Sequence, residues 1–144
     1  MRPAADVDLD AAAEVWRESA LNMDGHPYVP PLELMRRRVA QEFKAGWQLY
    51  VALRADRVVG LLALKPVDAV LDQIFVVPNE QGKGVGRVLL EVAKRAMPTG
   101  FRLRMTATNE RAGRFYEAEG LNFVDKGLHP SSGMPVHVYE WNQG

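Results

Sequence analysis

The chain is 144 residues long, 47% hydrophobic and 25% charged, a globular composition with enough apolar residues for a sizeable core. Its 18 basic residues balance 18 acidic ones, so no net field draws it to nucleic acid or to an anionic membrane. With no cysteine and three histidines it has no disulfide, thiolate ligand or cysteine nucleophile, and no metal is expected.

No apolar run approaches a membrane span and the N-terminus lacks a signal-peptide pattern, so the expectation is a soluble cytoplasmic protein with residues 1–144 in one domain. Residues 1–4 are too few to assign as a strand. From 9 to 23, Leu9, Ala12, Ala13, Trp16, Ala20 and Met23 follow helical spacing. Gly25, Pro27 and Pro30 break that helix, and Pro31 suits the first turn of a second one running to about residue 43. Its run Arg36-Arg37-Arg38 spreads over most of a turn and reads as a solvated face, with binding of an acidic partner as the alternative. Residues 47–54 and 58–64 form a hairpin about 55–57, closed by Pro66.

Residues 69–77 are a nearly continuous apolar strand that Pro78 stops. Asp72 and Gln73 are its polar exceptions, and strict alternation places Asp72 on the face of Val70, Ile74 and Val76. A turn, Gln81-Gly82-Lys83-Gly84-Val85-Gly86, then opens an amphipathic helix from about Gly84 to Ala96. Glycines at every second position expose backbone N–H groups at the positive end of a helix dipole, which favours a phosphate or pyrophosphate; the alternative is an ordinary glycine-rich strand-to-helix turn. A magnesium-binding P-loop is excluded because Gly84 stands where serine or threonine is needed, and the glycine phase is wrong for a dinucleotide fingerprint.

Residues 101–107 alternate as a strand, and a short helix over 110–119 has Asn109 as its N-cap and Gly120 past its end. Residues 123–125 and 136–141 form a last hairpin joined by a loop over 127–135. The element order implies an α/β (α+β) fold, a mixed sheet with helices on both faces.

Two motifs carry a resemblance. Gln81, Gly84 and Gly86 fit Gln/Arg-x-x-Gly-x-Gly/Ala, and Asn109, Ala112, Phe115-Tyr116 and Gly120 repeat a second spacing. Together the segment 71–123 resembles the GCN5-related N-acetyltransferase superfamily; the N-terminal third matches in element order alone. The resemblance implies a mostly antiparallel sheet of the acyl-CoA N-acyltransferase type, with acetyl-CoA as co-substrate and no metal. It implies that Gln81, Gly82, Lys83, Gly84, Val85, Gly86 and Arg87 hold the coenzyme pyrophosphate, with Asn109 beside the coenzyme. It also implies that the central strand splays from its neighbour, freeing main-chain groups at Val76 or Val77 for the pantetheine arm and the oxyanion.

Acetyl transfer to an amine needs a neutral amine, oxyanion donors and a proton for the leaving thiolate. The resemblance points to Tyr116 for the last; its alternative role is core packing, and Asn109 is alternatively a cap alone. Asp72 is the candidate base, since a carboxylate in a central strand is costly unless paired or used. Its alternative is a structural pair with Arg102 or Arg104, and water-mediated deprotonation is a third option, with Glu33, Glu42 and His129 as outside candidates. In the resembling family, loops over 22–28 and 127–135 border the acceptor, which makes Asp24, His26, Tyr28 and His129 candidates for orienting an amine; each has a surface-residue alternative.

The expected function is transfer of acetyl from acetyl-CoA to a primary amine of a small molecule, by direct attack in a ternary complex because there is no cysteine to carry an acyl group. The alternatives are a protein N-terminal or lysine acetyltransferase, and a non-catalytic acyl-CoA sensor. The partner is a small-molecule amine, not nucleic acid or membrane, with a homodimer left open.

Overall fold

The hairpin at Ala55–Asp56 sets the register of the sheet. Strands β2 (Gln48–Arg54) and β3 (Arg57–Lys65) meet through this two-residue turn, whose residues both have positive φ, 50° and 67°. That is the turn geometry whose twist matches paired strands. The computed structural model describes residues 1–21, 29–130 and 132–142.

Around this hairpin, β1 (Arg2–Pro3), β4 (Val70–Val76), β5 (Phe101–Thr106), β6 (Asn122–Leu128) and β7 (Pro135–Trp141) complete a seven-stranded sheet of order β1-β2-β3-β4-β5-β7-β6. Every neighbouring pair is antiparallel except β4 and β5, which run parallel because helix α3 (Val85–Ala96) crosses between them. Strand β3 is a continuous apolar run because both its faces are covered. Leu62 and Leu64 are sealed on one side, Leu61 and Ala63 on the other.

Helices α1 (Leu9–Leu21) and α2 (Leu32–Lys44) cover one face, where Trp16 stacks on Phe75 with centroids 6.0 Å apart. Helices α3 and α4 (Glu110–Ala118) cover the other. There Gly60 of β3 lies so close to Leu89 and Val85 that an added Cβ would stand 3.1 and 3.2 Å from them.

Most expected elements are present, with shifted ends. The first helix stops its described course at Leu21, and Pro31 occupies the N-cap position of α2 rather than its first turn. Residues 1–4 do contribute a strand, since Arg2 pairs with Val51 and Pro3 with Tyr50. The expected 127–135 loop is shorter than the sequence suggested. Gly127 pairs with Val136 and Leu128 with Pro135, so both flanks belong to the ladder.

Candidate active site

The site begins where β4 and β5 part. Val70 and Arg102 are their registered pair, supported by the Arg102 N–H donating to the Ala69 carbonyl at 3.0 Å, and beyond it the strands separate. This is the splay that the sequence resemblance implied. On its other side β4 stays paired with β3, and the Val77 N–H donates to the Val59 carbonyl at 2.9 Å. In an antiparallel ladder bonded pairs alternate, so the amides of Ile74 and Val76 turn away from β3 and into the opening. Val77 therefore does not supply the free amide expected of it: its N–H is engaged and its side chain is buried. Val76 does. The Val76 carbonyl is fixed from two sides, by the Ser19 hydroxyl at 2.9 Å and the Gln81 amide at 3.1 Å. Ser19, a buried polar residue on α1, is a contributor that helical spacing alone did not single out.

The glycine turn closes the end of this opening. A short 3-10 turn, Pro78–Glu80, is anchored by the buried Glu80 carboxylate, which pairs with Arg54 and lies 3.7 Å from Lys83. Burial pushes that carboxyl up, but the Arg54 and Lys83 charges outweigh it and hold it below its ordinary value. Gly82 and Gly84 have φ of +79° and +89°, and a Cβ at either would meet nothing within 4 Å. They are glycines for conformation, and open space lies in front of them.

The first bond of α3 runs from the Val88 N–H to the Gly84 carbonyl at 3.1 Å, so the amides of Val85, Gly86 and Arg87 precede any intrahelical partner. No acidic side chain occupies that first turn. Gly86 has another task. It sits inside α3, and a Cβ there would stand 3.3 Å from the Phe115 ring, so it permits α3 and α4 to approach. The Lys83 and Arg87 side chains are tied to Glu80 and, at 3.4 Å, to Glu119. An open cradle of unpaired amides fits a diphosphate, and the outward amides of β4 fit an amide-bearing arm leading from it.

Across the opening, Asn109 caps α4 by accepting the Ala112 N–H at 3.2 Å. Tyr116 is 7% exposed, with its ring 5.4 Å from Phe115 and 5.8 Å from Tyr139. Its hydroxyl makes no hydrogen bond among the described residues, whereas the Tyr139 hydroxyl donates to Glu117 at 3.2 Å. Burial raises the Tyr116 phenol far above its ordinary value, so it stays protonated. It is an acid or hydrogen-bond donor, not a base.

Asp72 lies at a β-bulge. Leu71 faces Leu64 and Gln73 faces Ala63, which leaves Asp72 as the extra residue. The bulge resets the alternation, which corrects the face expected for Asp72. It shares the α1/α2 side with Phe75, while Ile74 and Val76 turn to the α3 side. Its Oδ2 accepts the Trp47 indole N–H at 2.8 Å and lies 3.6 Å from Lys65. The structural pair with Arg102 or Arg104 is not formed: Arg102 pairs with Glu140 at 2.6 Å instead. Oδ1 takes no hydrogen bond from a described residue.

His129 follows β6 and is partly buried, with Nδ1 accepting the Ser132 N–H at 3.3 Å. Burial lowers its pKa first, Arg104 and Arg38 lower it further, and Asp72 opposes them. The shift favours the neutral ring. Glu42 lies 3.7 Å from Lys65 and Glu33 3.6 Å from Arg36. Asp24, His26 and Tyr28 lie outside the described residues. No described group of three or more histidine and acidic residues could hold a metal, and no described helix is long and apolar enough to cross a membrane.

The geometry now has known counterparts. The Peptidyl-lysine N-acetyltransferase YiaC of Escherichia coli (strain K12) is 24% identical over 147 residues, 98% of this chain and 95% of its own. Among solved structures, a GCN5-related N-acetyltransferase described as "Aminotransferase, Class-II" from Rhodopseudomonas palustris superposes with a TM-score of 0.79 at 18% identity, covering 99% of this chain and 94% of the other. The PaiA N-acetyltransferase of Thermoplasma acidophilum, in complex with coenzyme A, gives 0.77 at 19% identity over 99% and 97%. A sequence model described as "Acetyltransferase (GNAT) domain" matches residues 45–120, from just before β2 to just past α4. That span contains the splayed strands, the glycine turn and the tyrosine helix, and the chain accordingly belongs to the GCN5-related N-acetyltransferase family, whose members are acetyl-CoA-dependent acyltransferases.

Proposed function

We propose that this acetyltransferase acts on the primary amine of a small molecule, by direct attack within a ternary complex. The observation that carries the reading is the opening between β4 and β5, with unpaired amides at one end and the Asp72 carboxylate on the α1/α2 side. Acetyl-CoA supplies an acetyl group activated as a thioester.

The chain's residues then divide the work. The amides of Gly82, Gly84, Val85, Gly86 and Arg87 hold the diphosphate, with Lys83 adding positive charge beside it. Gln81 braces the Val76 carbonyl, which orients the Val76 N–H towards the acyl oxygen. Asp72, held at Oδ2, presents Oδ1 to the amine and takes its proton. The amine nitrogen bonds to the acyl carbon as the carbon–sulfur bond breaks, and the sulfur leaves as a thiolate that takes a proton from solvent, giving an N-acetyl amide and a thiol. Tyr116 donates a hydrogen bond to the departing sulfur; its raised pKa favours sharing the proton over full transfer. Asn109 holds the start of α4 and thereby the approach of Tyr116.

A second reading, acetylation of lysine side chains in proteins, is favoured by the likeness to the Escherichia coli peptidyl-lysine enzyme. Thiol release from acetyl-CoA with a panel of small amines and lysine-containing peptides separates the two. Turnover of free amines at least about 10-fold above that of peptides, in kcat/KM, is expected. Turnover confined to peptides would replace the first reading with the second.

A further inference from the structure

We propose that the amine acceptor carries an anionic group, a carboxylate or a phosphoryl, and that Arg38 and Arg104 hold it. The inference rests on the small-amine reading above and adds the substrate class.

Strand β5 buries Phe101, Leu103 and Met105 against α3 and α4, so Arg102 and Arg104 emerge on the opposite face, beside the opening. Arg102 is neutralised by Glu140 at 2.6 Å, while Arg104 pairs with no carboxylate among the described residues. Helix α2 repeats the contrast. Arg36 lies within 3.7 Å of Asp10 and 3.6 Å of both Glu14 and Glu33, whereas Arg38 pairs with none among the described residues.

The Arg38 guanidinium instead sits 5.4 Å over the Trp16 ring, which itself stacks on Phe75 of β4. A guanidinium over an indole can turn its N–H fork to a ligand, and that fork matches carboxylate and phosphoryl oxygens. Trp16 also lies 6.2 Å from Trp47, whose indole N–H binds Asp72, and Arg104 stands two residues beyond the Val70–Arg102 pair on the outward side of β5, so both arginines and Asp72 border the opening.

The charges are therefore divided: a carboxylate for an ammonium, two guanidiniums for an anion. An acceptor with both ends satisfies all three groups. A simple alkylamine or a polyamine would bring only positive charge to two cations that pair with no carboxylate among the described residues.

The test uses the full chain with acetyl-CoA and matched acceptors: the common amino acids, their carboxamides, the corresponding decarboxylated amines, and aminoalkylphosphonates. Anionic acceptors should exceed their neutral counterparts by about 10- to 100-fold in kcat/KM. In Arg38→Gln and Arg104→Gln that ratio should fall towards one, mainly through KM, with acetyl-CoA affinity retained as evidence of an intact fold. Carboxylate and phosphonate arms tell the two anions apart. Amines accepted without regard to charge, or a ratio unchanged in both variants, would overturn this inference and leave the small-amine reading standing. Turnover of peptide lysines with no free amine accepted would overturn both.

Discussion

Trp47 donates its indole N–H to Oδ2 of Asp72 at 2.8 Å, and the carboxylate it steadies belongs to the bulged residue of β4. A carboxylate held by one oxygen has a fixed direction for the other, which is what a base needs. Asp72→Asn should lower kcat by about 10²–10⁴-fold and flatten the acidic limb of the pH–rate profile. Trp47→Phe keeps the ring but removes the N–H, and should cost about 10-fold in kcat while sparing acetyl-CoA affinity. Steady-state kinetics across pH check both. An unchanged limb in Asp72→Asn would remove this residue from the proton transfer.

Tyr116→Phe should lower kcat by about 10²–10⁴-fold and change KM little, because the hydrogen bond strengthens as charge gathers on sulfur. The pH dependence has a definite sign. A phenol raised above its ordinary value keeps its proton beyond pH 10, so Tyr116 should cause no loss of activity between pH 8 and about 9.5. A descending limb in that window that disappears in Tyr116→Phe would contradict the assignment.

Gly84 and Gly86 should respond differently to alanine. At Gly84, with φ +89°, the substitution strains the turn by about 1–2 kcal/mol and projects a methyl into the space in front of it. Acetyl-CoA affinity should fall at least about 10-fold. At Gly86 the new methyl presses on Phe115 at 3.3 Å, so stability should fall more than affinity. Denaturant unfolding and calorimetry on the two variants separate the effects.

The Ala55–Asp56 turn has both residues in the left-handed region, where neither side chain is at ease. Asn–Gly is suited to that geometry, and the double substitution should stabilise the fold by about 1 kcal/mol without altering turnover. The shift of the denaturation midpoint at constant slope measures it.

Some of this was readable in the residues and some was not. The strand ending before Pro78, the glycine turn and the amphipathic α3 follow from short-range rules, so their placement agrees with the structure. The orientation of Asp72 does not. A bulge adds a residue without a mark in the hydrophobic pattern, and strict alternation then assigns the wrong face. The choice between Val76 and Val77 depends on ladder phase, which is set by the partner strand. The splay is a missing pairing, and absence of pairing leaves no periodicity to read. Gly86 looked like its two neighbours in the turn, yet its reason is Phe115, a residue of another helix. The arginines differ in a similar way: Arg36 and Arg38 stand in one run, but α1 offers Asp10 and Glu14 to Arg36 and the Trp16 ring to Arg38, which the run itself does not show.

The most direct measurement is a backbone amide NMR titration with acetyl-CoA. The account predicts the largest shifts at residues 81–87 and at Ile74 and Val76, while the Val77 amide, bonded to Val59, keeps its protection from exchange. Silence across 81–87, with shifts gathered at a distant face of the molecule, would contradict it.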